Sequence, residues 1–173
     1  MSVVIRRITP AEFPQYRADL MEVLRDAVDG GASVGFLLPL AATEAEEYWR
    51  GVEAALPSGN VVLLVAEAAG QVQGTVQLHL ATKANAPHRA EVAKLLVHSR
   101  VQRQGLGRRL MQAVEEVARQ HGRSTLVLDT LQGAGSELLY QSIGYVPVGA
   151  IPNFVRNEKG EMGATVYYYK LLG

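Results

Sequence analysis

The run Gln102-Arg103-Gln104-Gly105-Leu106-Gly107-Arg108-Arg109 gathers the parts of an anion site. Glycines at 105 and 107 let the main chain approach a ligand with no Cβ in the way. Leu106, Leu110, Val114, Val117 and Ala118 then form one apolar stripe, so the run opens an amphipathic helix whose first N–H groups have no intrahelical partner. The dipole at that end favours negative charge by about 0.3–1 kcal/mol, whereas Arg103, Arg108 and Arg109 crowd it with positive charge. A bound phosphate resolves the conflict by engaging the N–H groups and the guanidinium forks together. The plain alternative is a glycine-flexed loop with solvated arginines.

Neighbouring residues narrow the ligand. A Walker A loop continues from its second glycine into Lys and Ser/Thr, and Arg108-Arg109 offers no hydroxyl for magnesium. A dinucleotide fingerprint finds its first two glycines in Gly105 and Gly107 and an acidic residue downstream in Asp129. It fails where Leu110 occupies the third glycine and where His98 to Gln104 form a long loop in place of a tight turn. His79, His88 and His98 lack metal-ligand spacing and have no Cys partners, so no metal site is expected.

The elements that must hold this loop follow from periodicity. Val3 to Ile8 reads as a strand, and Thr9-Pro10 starts a helix through Leu20, Val23 and Leu24 that fades near Asp29. A loop from Gly30 to Leu40 carries an exposed-looking Phe36, and Thr43 with Glu46 suggests a capping box for a helix through Trp49 to Ala55. Val61 to Glu67 and Val72 to Leu80 flank Ala68-Ala69-Gly70-Gln71 at hairpin spacing. Ala90 to Val97 is the next strand, followed by the glycine-led helix, which stops at His121-Gly122. Thr125 to Leu128 is a short apolar strand, Ser136 to Ile143 a compact helix, and Tyr145 to Val148 and Thr165 to Leu172 are two last strands around a polar loop containing Pro152 and Gly160. This order predicts an α+β fold, a mixed and mostly antiparallel sheet of about seven strands with about four helices. Its one parallel unit, Ala90–Val97, helix, Thr125–Leu128, places a ligand at the carboxyl ends of those strands.

Composition sets the outer limits. The chain has 173 residues, 17 Lys+Arg against 17 Asp+Glu, no Cys and 48% hydrophobic residues, which predicts one globular domain over residues 1–173. Zero net charge removes the broad basic footprint of nucleic-acid binding. The absence of Cys excludes thiolate catalysis, Cys-type zinc sites and disulfides, and fits a reducing compartment. Val61 to Ala66 is far shorter than the roughly 20 residues of a membrane span, so a cytoplasmic protein without membrane or nucleic-acid partners is expected. Whether it is a monomer or a homodimer stays open.

Leu95-Leu96-Val97-His98 followed by Gln102-x-x-Gly105-x-Gly107 resembles the acyl-CoA signature of the GNAT superfamily of N-acyltransferases. Leu138-Leu139-Tyr140-Gln141-Ser142-Ile143-Gly144-Tyr145 is similar to that family's second motif, an aromatic-rich helix whose tyrosine points at the acyl sulfur. The resemblance spans essentially the whole chain. It implies the GNAT fold, with parallel strands splayed at the cofactor site, and acetyl-CoA as acyl donor. It assigns cofactor contacts to Leu95, Leu96, Val97, Gln102, Arg103, Gln104, Gly105, Leu106, Gly107 and Arg108. Many family members carry Asn seven residues before the motif tyrosine, where this chain has Gly133.

A narrower resemblance, in Arg89 to Leu95, Leu128-Asp129-Thr130, Val148 to Pro152 and Gly31 to Phe36, is to the branch containing the tabtoxin-resistance acetyltransferase. It implies a small, amino-acid-like amine as acceptor.

Such an acceptor needs a base. An alkylammonium of pKa about 10.4 is neutral in about one molecule in 2,500 at pH 7, about 4.6 kcal/mol uphill. Glu91 on the central strand and Asp129 at the end of its parallel neighbour are the two carboxylates that the topology brings to the crevice, and either serves directly or through water. Glu91 also has Arg89 and Lys94 within reach for simple pairing, and Asp129 also suits a turn before Thr130. Tyr140 is the candidate acid for the departing thiolate. A strand splaying beyond Leu95 would leave an N–H near Leu96 or Val97 for the oxyanion. Without cysteine to hold an acyl group, transfer runs directly in a ternary complex. Acetylation of a protein N-terminus or lysine, and a non-catalytic acyl-CoA-binding module, are the alternative readings. Trp49 is expected to pack, Tyr167 to Tyr169 to alternate across a strand, and Arg6 and Arg7 to be solvated.

Overall fold

The computed structural model describes residues 3–173. Its elements are β1 (Val4–Ile8), α1 (Phe13–Asp29), α2 (Ala42–Ala55), β2 (Val61–Ala68), β3 (Gln71–Leu80), β4 (Arg89–Val97), α3 (Leu106–Gln120), β5 (Thr125–Leu131), α4 (Gly135–Ser142), β6 (Val146–Arg156) and β7 (Met162–Leu171), with single helical turns at Leu56–Ser58 and Ser99–Val101. The seven strands form one sheet in the order β1-β2-β3-β4-β5-β7-β6. Every neighbouring pair is antiparallel except β4 and β5. The α+β class, the strand and helix numbers and the parallel unit agree with the sequence reading.

Alternation along the strands sorts side chains into two cores. Val62, Leu64 and Ala66 of β2 join Val76 and Leu78 of β3 beneath the stripe Leu106, Leu110, Val114 and Ala118 of α3. Leu63 and Val65 point the other way, onto Phe13, Leu20 and Leu24 of α1 and the fully buried Trp49 of α2. The β2–β3 turn places Ala69 and Gly70 at φ +52° and +74°, the left-handed pair that a two-residue hairpin demands.

Four local expectations need correction. The second helix starts at Ala42, and the carboxylate of Glu44 accepts from Ala41 N–H at 3.3 Å, so Thr43 and Glu46 form no capping box; Ala41 has no side-chain acceptor to complete one. Phe36 is half-buried, its ring edge-on to Tyr48 at 5.4 Å. Pro152 lies inside β6, where the pairing with β7 is irregular between Ile151 and Val155, so its missing N–H breaks no ladder bond. Arg6 is held by Glu12 at 3.0 Å and by Glu67 at 3.9 Å rather than being free in solvent.

Candidate active site

β4 and β5 pair over only three residues, Arg89 with Thr125, Ala90 with Leu126 and Glu91 with Val127, and then separate. The split thus begins at Glu91, earlier than the Leu95 expected from sequence. On its other edge β4 carries a bulge: Gln77 pairs with Ala93 and Thr75 with Leu96, so Lys94 and Leu95 of β4 stand against Val76 alone of β3. Lys94 absorbs the extra residue at φ +52°. Ala90 and Val92 face the α3 core, whereas Leu96, beyond the bulge, faces the α1–α2 core.

The split opens a cleft of about 780 Å³ that reaches both faces of the sheet. Leu95, Leu96, Val97 and Gln102 line it toward α3, Tyr140 and Ser136 toward α4, and Glu91, Lys94 and Asp129 on the face that carries α1 and α2, where Gly31 to Gly35 of the loop between those helices also border it. The three candidate catalytic side chains therefore share one cavity with part of the candidate donor site.

The donor end is built by the turn into α3. Gln102 Nε2 donates to the Val97 carbonyl at 2.9 Å, tying the loop to the open strand. Arg103 and Gly105 have φ +59° and +80°, a twist that turns successive N–H groups outward. Arg109 N–H, bonded to Gly105 O at 3.1 Å, is the first of the helix to find a carbonyl, which leaves Leu106, Gly107 and Arg108 N–H groups without intrahelical partners. Gln104 and Arg103 are exposed beside them.

The side chains differ from expectation in three respects. Leu106 is turned into the α3 core at 5% exposure, so only its N–H faces a ligand. Arg108 donates to Ser142 Oγ at 3.0 Å and Arg109 to the Val3 carbonyl at 2.7 Å, so Arg109 is directed toward β1. A Cβ on Gly107 would meet Leu139 Cδ2 at 3.2 Å, so this glycine permits α3 to lie close against α4 as well as baring the backbone.

Tyr140 is 7% exposed, with its ring 6.0 Å from those of Tyr145 and Tyr168. Burial, reinforced by the Asp129 charge, pushes its hydroxyl up to about 12. Its helix is pinned at several points: Glu137 accepts from Gly133 N–H at 2.6 Å and from the Tyr168 hydroxyl, Gln141 Nε2 reaches that hydroxyl at 3.1 Å, and Ser136 Oγ lies 2.7 Å from Thr130 Oγ1. Gly133, at φ +83°, occupies a conformation that favours glycine.

Glu91 and Asp129 are exposed on that same face, Glu91 opposite His79 of β3 and Asp129 opposite Tyr167 of β7. Among the described residues Glu91 has no ion-pair partner; neither Arg89 nor Lys94 takes it up. Thr165 Oγ1 lies 2.9 Å from Asp129 Oδ2 and 2.9 Å from the Thr130 carbonyl, and its single proton serves one of them at a time. Burial lowers His79, with the Glu91 charge opposing that shift. The face continues through Tyr167, edge-on to Phe154 at 6.1 Å.

Lys94 and Thr165 were not singled out from sequence as site residues. Lys94 did leave a signal: it shares the parity of the buried Ala90 and Val92, and a lysine there either enters the core or forces a bulge. Thr165 left none, since its contact with Asp129 depends on the β5–β7 register. Among the described residues no cluster of His, Cys, Asp or Glu is arranged to hold a metal, and no helix is long and apolar enough to cross a membrane.

Residues 22–145 match the family profile described as Acetyltransferase (GNAT) family. An uncharacterized N-acetyltransferase of Azospirillum brasilense, from the hisH-hisA intergenic region, is 35% identical over 113 residues, 64% of this chain and 66% of its own length, just under two thirds. A Salmonella typhimurium protein solved with its cofactor acetyl-CoA superposes at TM-score 0.78 with 20% identity, over 100% of this chain and 95% of that one. A ribosomal-protein-alanine N-acetyltransferase from Brucella melitensis gives TM-score 0.78 with 23% identity, over 98% and 99%. These two share the fold. With a match to most of its length and the split, bulged sheet in place, this chain belongs to the GNAT family of acetyltransferases, whose acyl donor is acetyl-CoA.

Proposed function

We propose that this chain transfers the acetyl group of acetyl-CoA to the primary amine of a small, amino-acid-like metabolite or toxin by direct attack in a ternary complex. The observation that carries the reading is the single cleft joining Leu95 to Val97 and Gln102 with Tyr140, Glu91 and Asp129. The pyrophosphate lies against the N–H groups of Leu106, Gly107 and Arg108, where the helix dipole and Arg103 supply positive potential. Leu95, Leu96 and Val97 are freed from β5 on that edge and hold the pantetheine arm, with a main-chain N–H in this stretch for the oxyanion.

In the transfer the amine nitrogen attacks the thioester carbonyl, a C–N bond forms and the C–S bond breaks. The ammonium proton passes to Glu91 or Asp129, directly or through water. The departing thiolate takes the Tyr140 proton. With that hydroxyl at about 12 and a thiol near 8.5, transfer to the free thiolate is about 5 kcal/mol uphill, and the second proton shed by the attacking nitrogen as the amide forms restores the phenol. Overall, an ammonium and a thioester give an amide, a free thiol and one released proton.

The likeness to the tabtoxin-resistance branch favours a small acceptor, and an acceptor of this kind suits a cytoplasmic enzyme. The test is a screen of small amines with acetyl-CoA scored by free-thiol release. One feature favours a protein acceptor instead: a second recess of about 240 Å³ beside the cleft, with Phe36, Leu37, Leu38, Val155 and Met162 on its walls. Peptides turning over well where free amino acids do not would move the assignment there. Acetyl-CoA binding without transfer to any amine would leave a binding module.

A further inference from the structure

The bulge in β4 delivers a cation to the acceptor side of the cleft. Lys94 lies in a left-handed conformation at φ +52°, which costs a residue with a Cβ about 1–2 kcal/mol. Its side chain is half-buried, with Nζ 5.6 Å from the centre of the Tyr48 ring and 3.8 Å from where a Cβ on Gly35 would stand. Among the described residues no carboxylate comes within ion-pair distance of it, although Asp129 and Glu91 face the same space. Burial pulls its pKa down, and those two carboxylates oppose the shift.

For a plain alkylammonium ion a part-buried cation beside the base eases deprotonation but repels the ion as it binds, and it leaves the lysine's own charge without a partner. Desolvating a charge is costly unless a partner compensates it, and strain persists where the surroundings make use of it. The arrangement makes sense for a ligand that carries both signs, with its ammonium toward Glu91 and Asp129 and an anion toward Lys94. Gly35 borders the tip of this lysine, and its φ of +93° is a conformation that favours glycine.

We propose that Lys94 anchors the acceptor's carboxylate, so that the substrates are amino acids and related zwitterions rather than plain alkylamines. This deepens the small-amine reading above and rests on it. Lys94 binds and orients, and no proton of the reaction passes through it.

The experiment uses the full chain with acetyl-CoA and matched sets of amino acids, their carboxamides and their decarboxylated amines, followed by thiol release. Wild type is expected to prefer the best amino acid over its carboxamide by at least about tenfold in kcat/KM, the scale of a charge-assisted contact. Lys94→Met should raise the amino acid's KM by about tenfold, leave the carboxamide within about twofold, and leave the acetyl-CoA KM unchanged. Lys94→Arg should retain the preference. Equal turnover of acid and amide by wild type overturns the anchor and leaves the small-amine reading intact; this comparison needs no variant, so it decides even if Lys94→Met misfolds. An equal loss on both substrates in Lys94→Met also overturns it, making the lysine a structural tie to Tyr48. Should no amine of the panel be acetylated, the small-amine reading itself fails and the anchor falls with it.

Discussion

Removing one oxygen atom from Tyr140 tests the donor half of the site. Tyr140→Phe keeps the packing against Tyr145 and Tyr168 and is expected to lower kcat by about 10²–10⁴ with acetyl-CoA affinity little changed, measured by steady-state rates and calorimetry. A variant keeping more than about half of wild-type kcat, with chemistry limiting, would move the acid elsewhere. The acceptor half is tested by Glu91→Gln and Asp129→Asn. Loss of an anchor raises the acceptor KM with kcat nearly intact, whereas loss of the base lowers kcat and leaves a rate that recovers toward the amine's own pKa, about 10.4. We expect base-like behaviour from at least one; unchanged kcat and pH profile in both would assign proton transfer to backbone carbonyls and ordered water. The placing of Glu91 and Asp129 at the cleft was legible because the crevice of a parallel unit is predictable, and that of Tyr140 because its helix resembles the second motif. Lys94 was harder to see, because its place depends on a local break in alternation rather than on the alternation itself.

At the scale of elements, α3 and α4 meet where Gly107 has no side chain. In Gly107→Val the new Cβ meets Leu139 at 3.2 Å and the added methyls press on α4, the helix that bears Tyr140. The expected result is an acetyl-CoA dissociation constant raised at least about tenfold together with a reduced kcat, in a protein that still melts cooperatively. Unchanged affinity by calorimetry would remove this turn from the phosphate site. Gly105→Ala separates the two causes, since space there is open and the cost comes from φ +80° alone. The order of elements was readable throughout, since stripes of period 3.6 and runs of period 2 differ plainly here. Their ends were less so: Thr43 and Glu46 have the right types for a cap, but the chain leaving Pro39 bends into helix early enough for Glu44 to take Ala41. β6 was read short because Pro152 suggests a loop, which an edge strand tolerates.

For the molecule as a whole, stability at high pH follows from its buried phenols. Burial raises Tyr48 and Tyr140 to about 12 and pushes Tyr145 higher still. Below about pH 10 these groups are protonated whether the chain is folded or not; above it the unfolded chain loses protons that the folded chain keeps, so unfolding becomes easier as pH rises. Melting temperature should therefore be level through about pH 9 and fall steadily between about pH 10 and 12, by calorimetry, and a flat profile across that window would contradict the burial of these rings. The two-sided opening of the sheet bears on kinetics. A cofactor seated at α3 and α4 and an acceptor approaching the face beside Glu91 and Asp129 use separate doors, so neither has to wait for the other to enter or depart. Initial-velocity lines should intersect, and an unreactive analogue of the amine should compete with the amine yet inhibit noncompetitively against acetyl-CoA; uncompetitive inhibition against acetyl-CoA would mean that the acceptor's door opens only once the cofactor is seated.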